Sequence, residues 1–511
     1  MLNSESSYDL LVVGAGINGA GIARDAAGRG LRVLIVEKGD LASATSQWST
    51  KLIHGGLRYL EQFEFRLVRD ALAEREVVLH QAPHIVAPLM FVLPHEPHLR
   101  PAWMLRAGLF LYDHLGRRET LPGSFGVVDL ASTPWGAGLK PNFHKGFVYS
   151  DARVDDARLV VFNVMDARDR GAEVRVRTRL VAAQREQTAR GPSWRATLAT
   201  PSGSREIEAK VIVNATGPWV KAVRESINGF PSAENIRHVK GSHIVVPRVQ
   251  EGDHAYILQN ADKRIVFVIP YEDQYSLIGT TDVAVDSYEA PQIDSTEIDY
   301  LLELANTYLA RPLRREDIVW SYSGVRPLYD DGSTDPSAIT RDYVFEVDTA
   351  DAQGAPLLSI YGGKITTYRK LAEQALDQIA RFLPPLKPRW TAYPVLPGGD
   401  LPSGGLPEWI AELTQRYPDM PASLLRGLAR RHGSRAADIL DGAHVSADLG
   451  IDFGQGLSEA EVRHVVRTEW ACTGADVLWR RTKCGIGMTA AQRAHVDAFV
   501  AGCVPIEATV A

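Results

Sequence analysis

At 511 residues the chain is too long for a single hydrophobic core, so two or three domains are expected. Composition is ordinary for a globular protein, and a net charge of −6 argues against nucleic acid as the main partner. Three cysteines, Cys472, Cys484 and Cys503, form no C-x-x-C, which excludes a disulfide framework or a cysteine-based zinc site and points to a reducing compartment.

The chain reaches its first apolar run almost at once and lacks a basic n-region, so no cleaved signal is expected. That run, Tyr8 to Val13, stops on Gly14-Ala-Gly-Ile-Asn-Gly-Ala-Gly21 and restarts as an alanine-rich helix. Gly14 permits the tight turn, Gly16 lets backbone approach a pyrophosphate, and Gly19 lets the helix pack on the strand. The helix start offers N–H groups and the positive end of its dipole to phosphate oxygens. A second apolar run, Leu31 to Val36, ends on Glu37, at about the spacing of a ribose-binding carboxylate.

A hydroxyl-rich stretch from Lys38 to Lys51 leads into Leu52-Ile-His-Gly-Gly-Leu-Arg-Tyr-Leu60, suited to lying along an extended cofactor. An amphipathic helix follows to His80, with Phe63, Leu67, Ala71 and Val78 near one stripe. Residues 100–118 form an apolar helix candidate with basic ends and with Trp103 and Tyr112. A membrane-surface helix and a buried helix explain it equally well. His95-Glu-Pro-His98 reads as loop, because proline opposes the helix a metal pair would need, and no metal is expected. A helix from Val154 to Gly171 precedes strands that end at Asn214-Ala-Thr-Gly217. Strands around 242–246, 264–269 and 275–278 and a helix over 296–308 predict a mostly antiparallel sheet inserted into the dinucleotide domain. The run Pro356 to Tyr361 then meets Gly362-Gly-Lys364, a second strand–glycine–helix junction. Prolines from Pro384 to Pro397 mark a linker to a helix-rich remainder. In it Ser458 and Glu461 resemble a capping box, and Trp479-Arg-Arg-Thr-Lys483 forms a basic cluster that reads as a solvated helix face. No apolar run is long enough to span a bilayer.

The glycine fingerprint serves NAD and FAD alike. FAD is favoured because the Asn-Ala-Thr-Gly and Gly-Gly-Lys segments return late to one elongated ligand, and no second complete fingerprint supplies a nicotinamide site. Electrons should then enter from a small substrate and leave to something other than NAD(P). The strings Ser49-Thr-Lys-Leu-Ile-His-Gly-Gly-Leu-Arg-Tyr-Leu-Glu61, Lys240-Gly-Ser-His-Ile-Val-Val246, Ile278-Gly-Thr-Thr-Asp282, Tyr322-Ser-Gly-Val-Arg-Pro-Leu328 and Gly362-Gly-Lys-Ile-Thr-Thr-Tyr-Arg369 resemble, nearly end to end, the aerobic bacterial FAD-dependent sn-glycerol-3-phosphate dehydrogenases. So do Leu396-Pro-Gly-Gly399 and Leu478-Trp-Arg-Arg-Thr-Lys483. Gln47-Trp48 departs from that pattern, where small residues are usual.

The resemblance implies an α/β fold: a glutathione-reductase-like FAD-binding domain, an inserted mostly antiparallel substrate-capping sheet and a C-terminal helical domain. The FAD-binding parts are drawn at 1–85, 146–230 and 346–385, the cap at 86–145 and 231–345, and the helical domain at 386–511. It further implies oxidation of glycerol 3-phosphate to dihydroxyacetone phosphate, a membrane quinone as electron acceptor, a cytoplasmic enzyme peripheral on the inner face of the cell membrane, and a homodimer. Cofactor residues are Gly14, Gly16, Asn18, Gly19, Glu37, Ser46, Ser49, Lys51, His54, Ala215, Gly217, Gly363 and Thr366. Arg58, Tyr59, Arg326, Lys364 and Thr367 are assigned to the substrate, since guanidinium forks and a lysine point charge suit a phosphate. His54 or Lys364 is the catalytic base, and Arg326 stabilises the developing alkoxide. An oxidase or dehydrogenase of amino or 2-hydroxy acids is the alternative, because the same flavin domain holds carboxylates with arginine.

Overall fold

A computed structural model describes residues 7–61, 63–96, 101–116, 118–227, 236–260, 264–329, 342–349 and 354–504; the side chain of Arg58, together with Pro97 and His98, lies outside that description. Two sheets organise it. In the first, strands run in the order Val344–Asp348, Leu357–Tyr361, Gly203–Asn214, Ser7–Val13, Val33–Val36, Glu173–Arg175, and the middle of this order is parallel. Alternation along Ser7–Val13 feeds two cores: Leu10 and Val12 pack with the helix side, Leu11 and Val13 with Trp194 and Ile212 on the other face. Val33–Val36 is buried throughout, as a strand covered on both faces must be. Helix Ile17–Gly28 packs between Asp156–Asp169 and Tyr368–Ile379.

The second sheet is mostly antiparallel and carries the cap. It holds Ile236–Pro247, His254–Gln259, Ile265–Tyr271, Tyr275–Gly279 and Trp320–Tyr329, but also Val86–Pro94, Lys145–Val154 and the short Leu52–Ile53. The line drawn between 145 and 146 therefore falls on one strand of this sheet, and the His54 segment starts from its edge. Apolar alternation identifies a strand but not the sheet that it joins.

The predicted helices appear with shifted ends, at Phe65–Gln81, Ala102–Leu115, Asp156–Asp169 and Ser295–Tyr308. The last begins with a full capping box between Asp294 and Glu297. At Glu459–Thr468 only half of the expected box forms. Ser458 accepts from Glu461 N–H, while the Glu461 carboxylate turns to Arg431 and His432. The C-terminal helices Gly405–Arg416, Ala422–His432, Glu459–Thr468 and Ala490–Cys503 have two small cores of their own. No helix among the described residues is long and apolar enough to cross a membrane.

Candidate functional site

The parallel strands end together. Val13 lies beside Asn214 and Val36, and Asn214 beside Ser359, so the glycine loop, Glu37, Ala215–Gly217 and Gly362–Lys364 share one edge. In open α/β sheets the crevice beyond the strands' carboxyl ends is where ligands sit. Gly14 has φ of +99°, and a Cβ there would lie 2.8 Å from the Ala215 carbonyl oxygen, so that turn admits only glycine. A Cβ on Gly19 would meet the Gly14 oxygen at 1.9 Å, which is why helix and loop can touch. Gly16 caps the helix in extended conformation with no side-chain acceptor, leaving the first turn to face the crevice.

Side chains from distant segments then tie the loops together. Ile17 N–H donates to Ser46 Oγ at 2.9 Å, and Asn18 Nδ2 donates to the Gly362 oxygen at 3.1 Å. Asn18 Oδ1 is left buried without a partner. Glu37 accepts from the N–H of Ala15 at 2.9 Å and of Gly39 at 2.8 Å. Burial pushes its carboxyl up, and those two N–H groups draw it part of the way back. Thr366 Oγ1 accepts from His54 N–H at 3.3 Å, joining the His54 turn to the second glycine junction. Ala215 and Thr216 lie against Gly14, Gly217 follows at φ of +58° with open space where a Cβ would be, and a Cβ on Gly363 would lie 3.0 Å from Asn18 Nδ2.

Two residues expected at the cofactor turn their side chains to a carboxylate of the protein. Ser49 Oγ donates to Asp156 at 2.7 Å, and buried Lys51 Nζ reaches both Asp156 oxygens at 2.8 and 3.0 Å. These side chains brace the segment from behind, because a buried ammonium must satisfy itself on the nearest carboxylate. Gln47-Trp48 also finds a place: Trp48 stacks on Tyr322 with centroids 5.2 Å apart, and Gln47 Nε2 donates to the Ser43 oxygen.

From the capping sheet, Arg326 on Trp320–Tyr329 pairs with Asp282 and donates to the Thr281 oxygen at 3.1 Å. Lys364 Nζ sits 3.7 Å from the Tyr59 ring centre. The strand and the junction meet, since a Cβ on Gly362 would lie 3.8 Å from the Pro327 oxygen. His54 is half-buried, with its ring edge toward Phe267 at 6.4 Å. Thr367 borders a cavity of about 140 Å³ with Arg66, Asp70, Tyr343 and Lys370, whose described wall includes neither Arg326 nor Lys364. Asp282 and His243 were not singled out from the sequence, although both lie in quoted strings. His243 is buried, and its Nε2 meets Thr50 Oγ1 at 3.1 Å. Burial, with Lys51 and Arg326 nearby, holds its imidazole well below the ordinary range.

The basic cluster is not a solvated face. Arg480 and Arg481, at 9 % and 0 % exposure, both close on Asp40, three residues beyond Glu37. Lys483 Nζ reaches Asp155 at 2.9 Å. Nearby, His432, His464 and Glu469 bring ligand atoms within 4.8 Å of one another, but the Arg158 guanidinium already occupies Glu469, where a metal ion would meet a fixed positive charge.

Fold and site together define a flavin-dependent oxidoreductase with a capping sheet. The family described as FAD dependent oxidoreductase matches residues 9–369, and the C-terminal domain of alpha-glycerophosphate oxidase matches 389–502. The chain is 51% identical over 504 residues to the aerobic glycerol-3-phosphate dehydrogenase of Escherichia coli, covering 96% of this chain and 97% of the relative. It is 50% identical to the D-erythritol 1-phosphate dehydrogenase of Brucella abortus, covering 95% and 96%. The crystal structure of the Bacillus halodurans glycerol-3-phosphate dehydrogenase complexed with FAD superposes with a TM-score of 0.72 at 26% identity, over 99% of this chain and 96% of that one. The chain belongs to the glycerol-3-phosphate dehydrogenase family of FAD-dependent oxidoreductases, and FAD is its cofactor. The residues fit that group: a helix start whose N-cap glycine brings no side-chain acceptor, the unpartnered Asn18 Oδ1 and the Glu37 carboxylate offer donors and acceptors to a dinucleotide.

Proposed function

We propose that the chain oxidises sn-glycerol 3-phosphate to dihydroxyacetone phosphate. Bound FAD supplies, at flavin N5, the acceptor for the hydride that leaves C2. The observation that carries this reading is that the strand bearing Arg326 meets the Gly362–Lys364 junction, a Cβ on Gly362 lying 3.8 Å from the Pro327 oxygen, so two cations converge on the crevice. A small dianion is recognised by cations and donors more than by apolar area. Arg326 exchanges Asp282 for the substrate and faces the developing alkoxide. Lys364 over the Tyr59 ring is a cation–π pair, which suits it to holding an anion rather than to taking a proton. His54, fixed through its main chain by Thr366, is then the acceptor for the C2 hydroxyl proton. Thr367 contributes by its N–H to the Lys364 oxygen at 3.2 Å, holding the junction.

Anaerobic bleaching of the FAD-loaded protein tests this. Glycerol 3-phosphate should reduce the flavin, while D-amino acids and 2-hydroxyglutarate should not. The Brucella relative's name gives a second reading, a four-carbon polyol phosphate, so D-erythritol 1-phosphate belongs in the same series. Faster bleaching by it would move the substrate to that compound, and none with glycerol 3-phosphate would sink the proposal. Arg326→Ala should lower kcat/KM by roughly 100- to 1,000-fold.

Electrons are proposed to pass to a membrane quinone, with the protein peripheral on the inner face of the cell membrane. Support comes from Ala102–Leu115, whose Leu105, Leu109 and Tyr112 face inward while Trp103 and Phe110 are 71% and 65% exposed. The helix packs on the turn Leu57–Leu60, close to exposed Phe63, and Arg66 and Arg69 add exposed positive charge. Apolar side chains rimmed by cations suit an anionic lipid surface. Reoxidation of reduced flavin by a ubiquinone analogue faster than by oxygen is the expected outcome.

A further inference from the structure

We infer that Tyr112, on the inward face of helix Ala102–Leu115, is a positioning residue that holds the His54–Gly55 peptide in place for proton transfer. The argument rests on the reading of His54 above. Gly55 N–H donates to Tyr112 Oη at 2.9 Å, and Tyr112 Oη donates to Asp151 Oδ2 at 2.7 Å. A phenol has one proton and a carboxylate can only accept, so the directions are settled: the tyrosine oxygen must be the acceptor for Gly55. Burial and the neighbouring Asp151 push the phenol well above its ordinary range, which keeps that proton in place. Arg75 in turn holds Asp151, and Tyr112, Asp151 and Arg75 are all buried.

The anchor acts where the chain is least able to hold itself. Gly55 and Gly56 are adjacent, and Gly56 has φ of +77°, so this turn has the largest conformational freedom available to a backbone. Before it, Ile53 is fixed by its pairing with Ala152, next to Asp151 on the strand Lys145–Val154. His54 itself is held by Thr366. After it, the Gly55 N–H on Tyr112 is the contact that closes the turn. The fit is tight as well, since a Cβ on Gly55 would lie 2.6 Å from Leu72 and 2.7 Å from Tyr112 Oη. Loss of one hydroxyl leaves a buried N–H and a buried carboxylate short of a partner, and two glycines free to relax beside the imidazole.

The test is the FAD-loaded Tyr112→Phe protein under anaerobic stopped flow with glycerol 3-phosphate. The limiting rate of flavin bleaching should fall about 10- to 100-fold, as expected for a small misplacement of a reacting group. FAD content and the half-saturating substrate concentration should stay within about twofold–threefold of wild type, because Arg326 and Lys364 are untouched. Tyr149→Phe, which removes a hydroxyl from the same core but not from Gly55, should leave the rate unchanged. A bleaching rate in Tyr112→Phe equal to wild type overturns the inference, as does an equal loss in Tyr149→Phe. Hydrogen–deuterium exchange of the peptide spanning 52–59 in wild-type holoenzyme gives an answer that needs neither variant nor substrate. Slow exchange at Gly55 is expected, and exchange at the rate of an open loop overturns it. Wild-type protein that glycerol 3-phosphate does not bleach at all would count against the substrate instead, with the exchange result still deciding Tyr112.

Discussion

Two segments of this chain, 100–118 and 479–483, each set an aromatic residue near adjacent arginines. Their fates are opposite. Helix Ala102–Leu115 turns Trp103 and Phe110 to solvent, whereas Trp479 stacks on Trp320 at 5.1 Å and Arg480 and Arg481 are buried on Asp40. The first leaves its apolar surface exposed; the second serves as the seam between the C-terminal helices and the cofactor domain. What separates them is where the carboxylates come from. Asp40 and Asp155, distant in the chain, meet the second cluster, whereas in the first Arg118 pairs with Asp113 within the segment itself. A cation enters the interior only where a partner meets it.

The strongest way to break that comparison is at the seam. Arg481→Ala leaves Asp40 facing Arg480 alone and removes a fully buried guanidinium, at a cost of about 3–5 kcal/mol in stability. Urea unfolding measures it, and a midpoint equal to wild type would mean that the buried cluster does not fasten the domain. Acid sharpens the same point. Burial raises the Glu461 carboxyl, but Arg431 and His432 more than reverse this and bring it to about 2, against an ordinary 4.5. Because the folded value is the lower one, this stabilisation is complete above about pH 4.5 and is lost as pH falls toward 2. It amounts to something on the order of 3 kcal/mol. The thermal midpoint of Glu461→Gln should vary less with pH across that window than that of wild type. The outer helix should respond differently. Trp103→Ser with Phe110→Ser should weaken binding to anionic vesicles at low salt by roughly 100-fold, with the unfolding midpoint unchanged. Sedimentation with vesicles reads this, and undiminished binding would remove the helix from the lipid contact.

Much of the cofactor end was legible, because its demands are local. Gly14 must turn at positive φ, Gly19 must let the helix touch the loop, and Glu37 must end the second strand, all within one strand–turn–helix–strand unit. The reacting end was legible only as a set of residue types. Arg326 and Lys364 could be named as cations, but the Asp282 partner lies 44 residues from Arg326, and Tyr112 lies 57 residues from Gly55. Nothing in either local stretch announces those pairs.

By itself, then, the sequence determined the strand–glycine–helix junctions, the alternation that builds two sheets, and the chemistry of the groups available to an anion. Backbone sterics and side-chain period act over a few residues, so they are written locally. Tertiary structure alone decided that Ser49 and Lys51 turn to Asp156, that Arg480 and Arg481 are buried while Trp103 is not, and which hydroxyl steadies His54. Those outcomes depend on where a buried charge or N–H finds its partner, and the partner comes from a distant part of the chain.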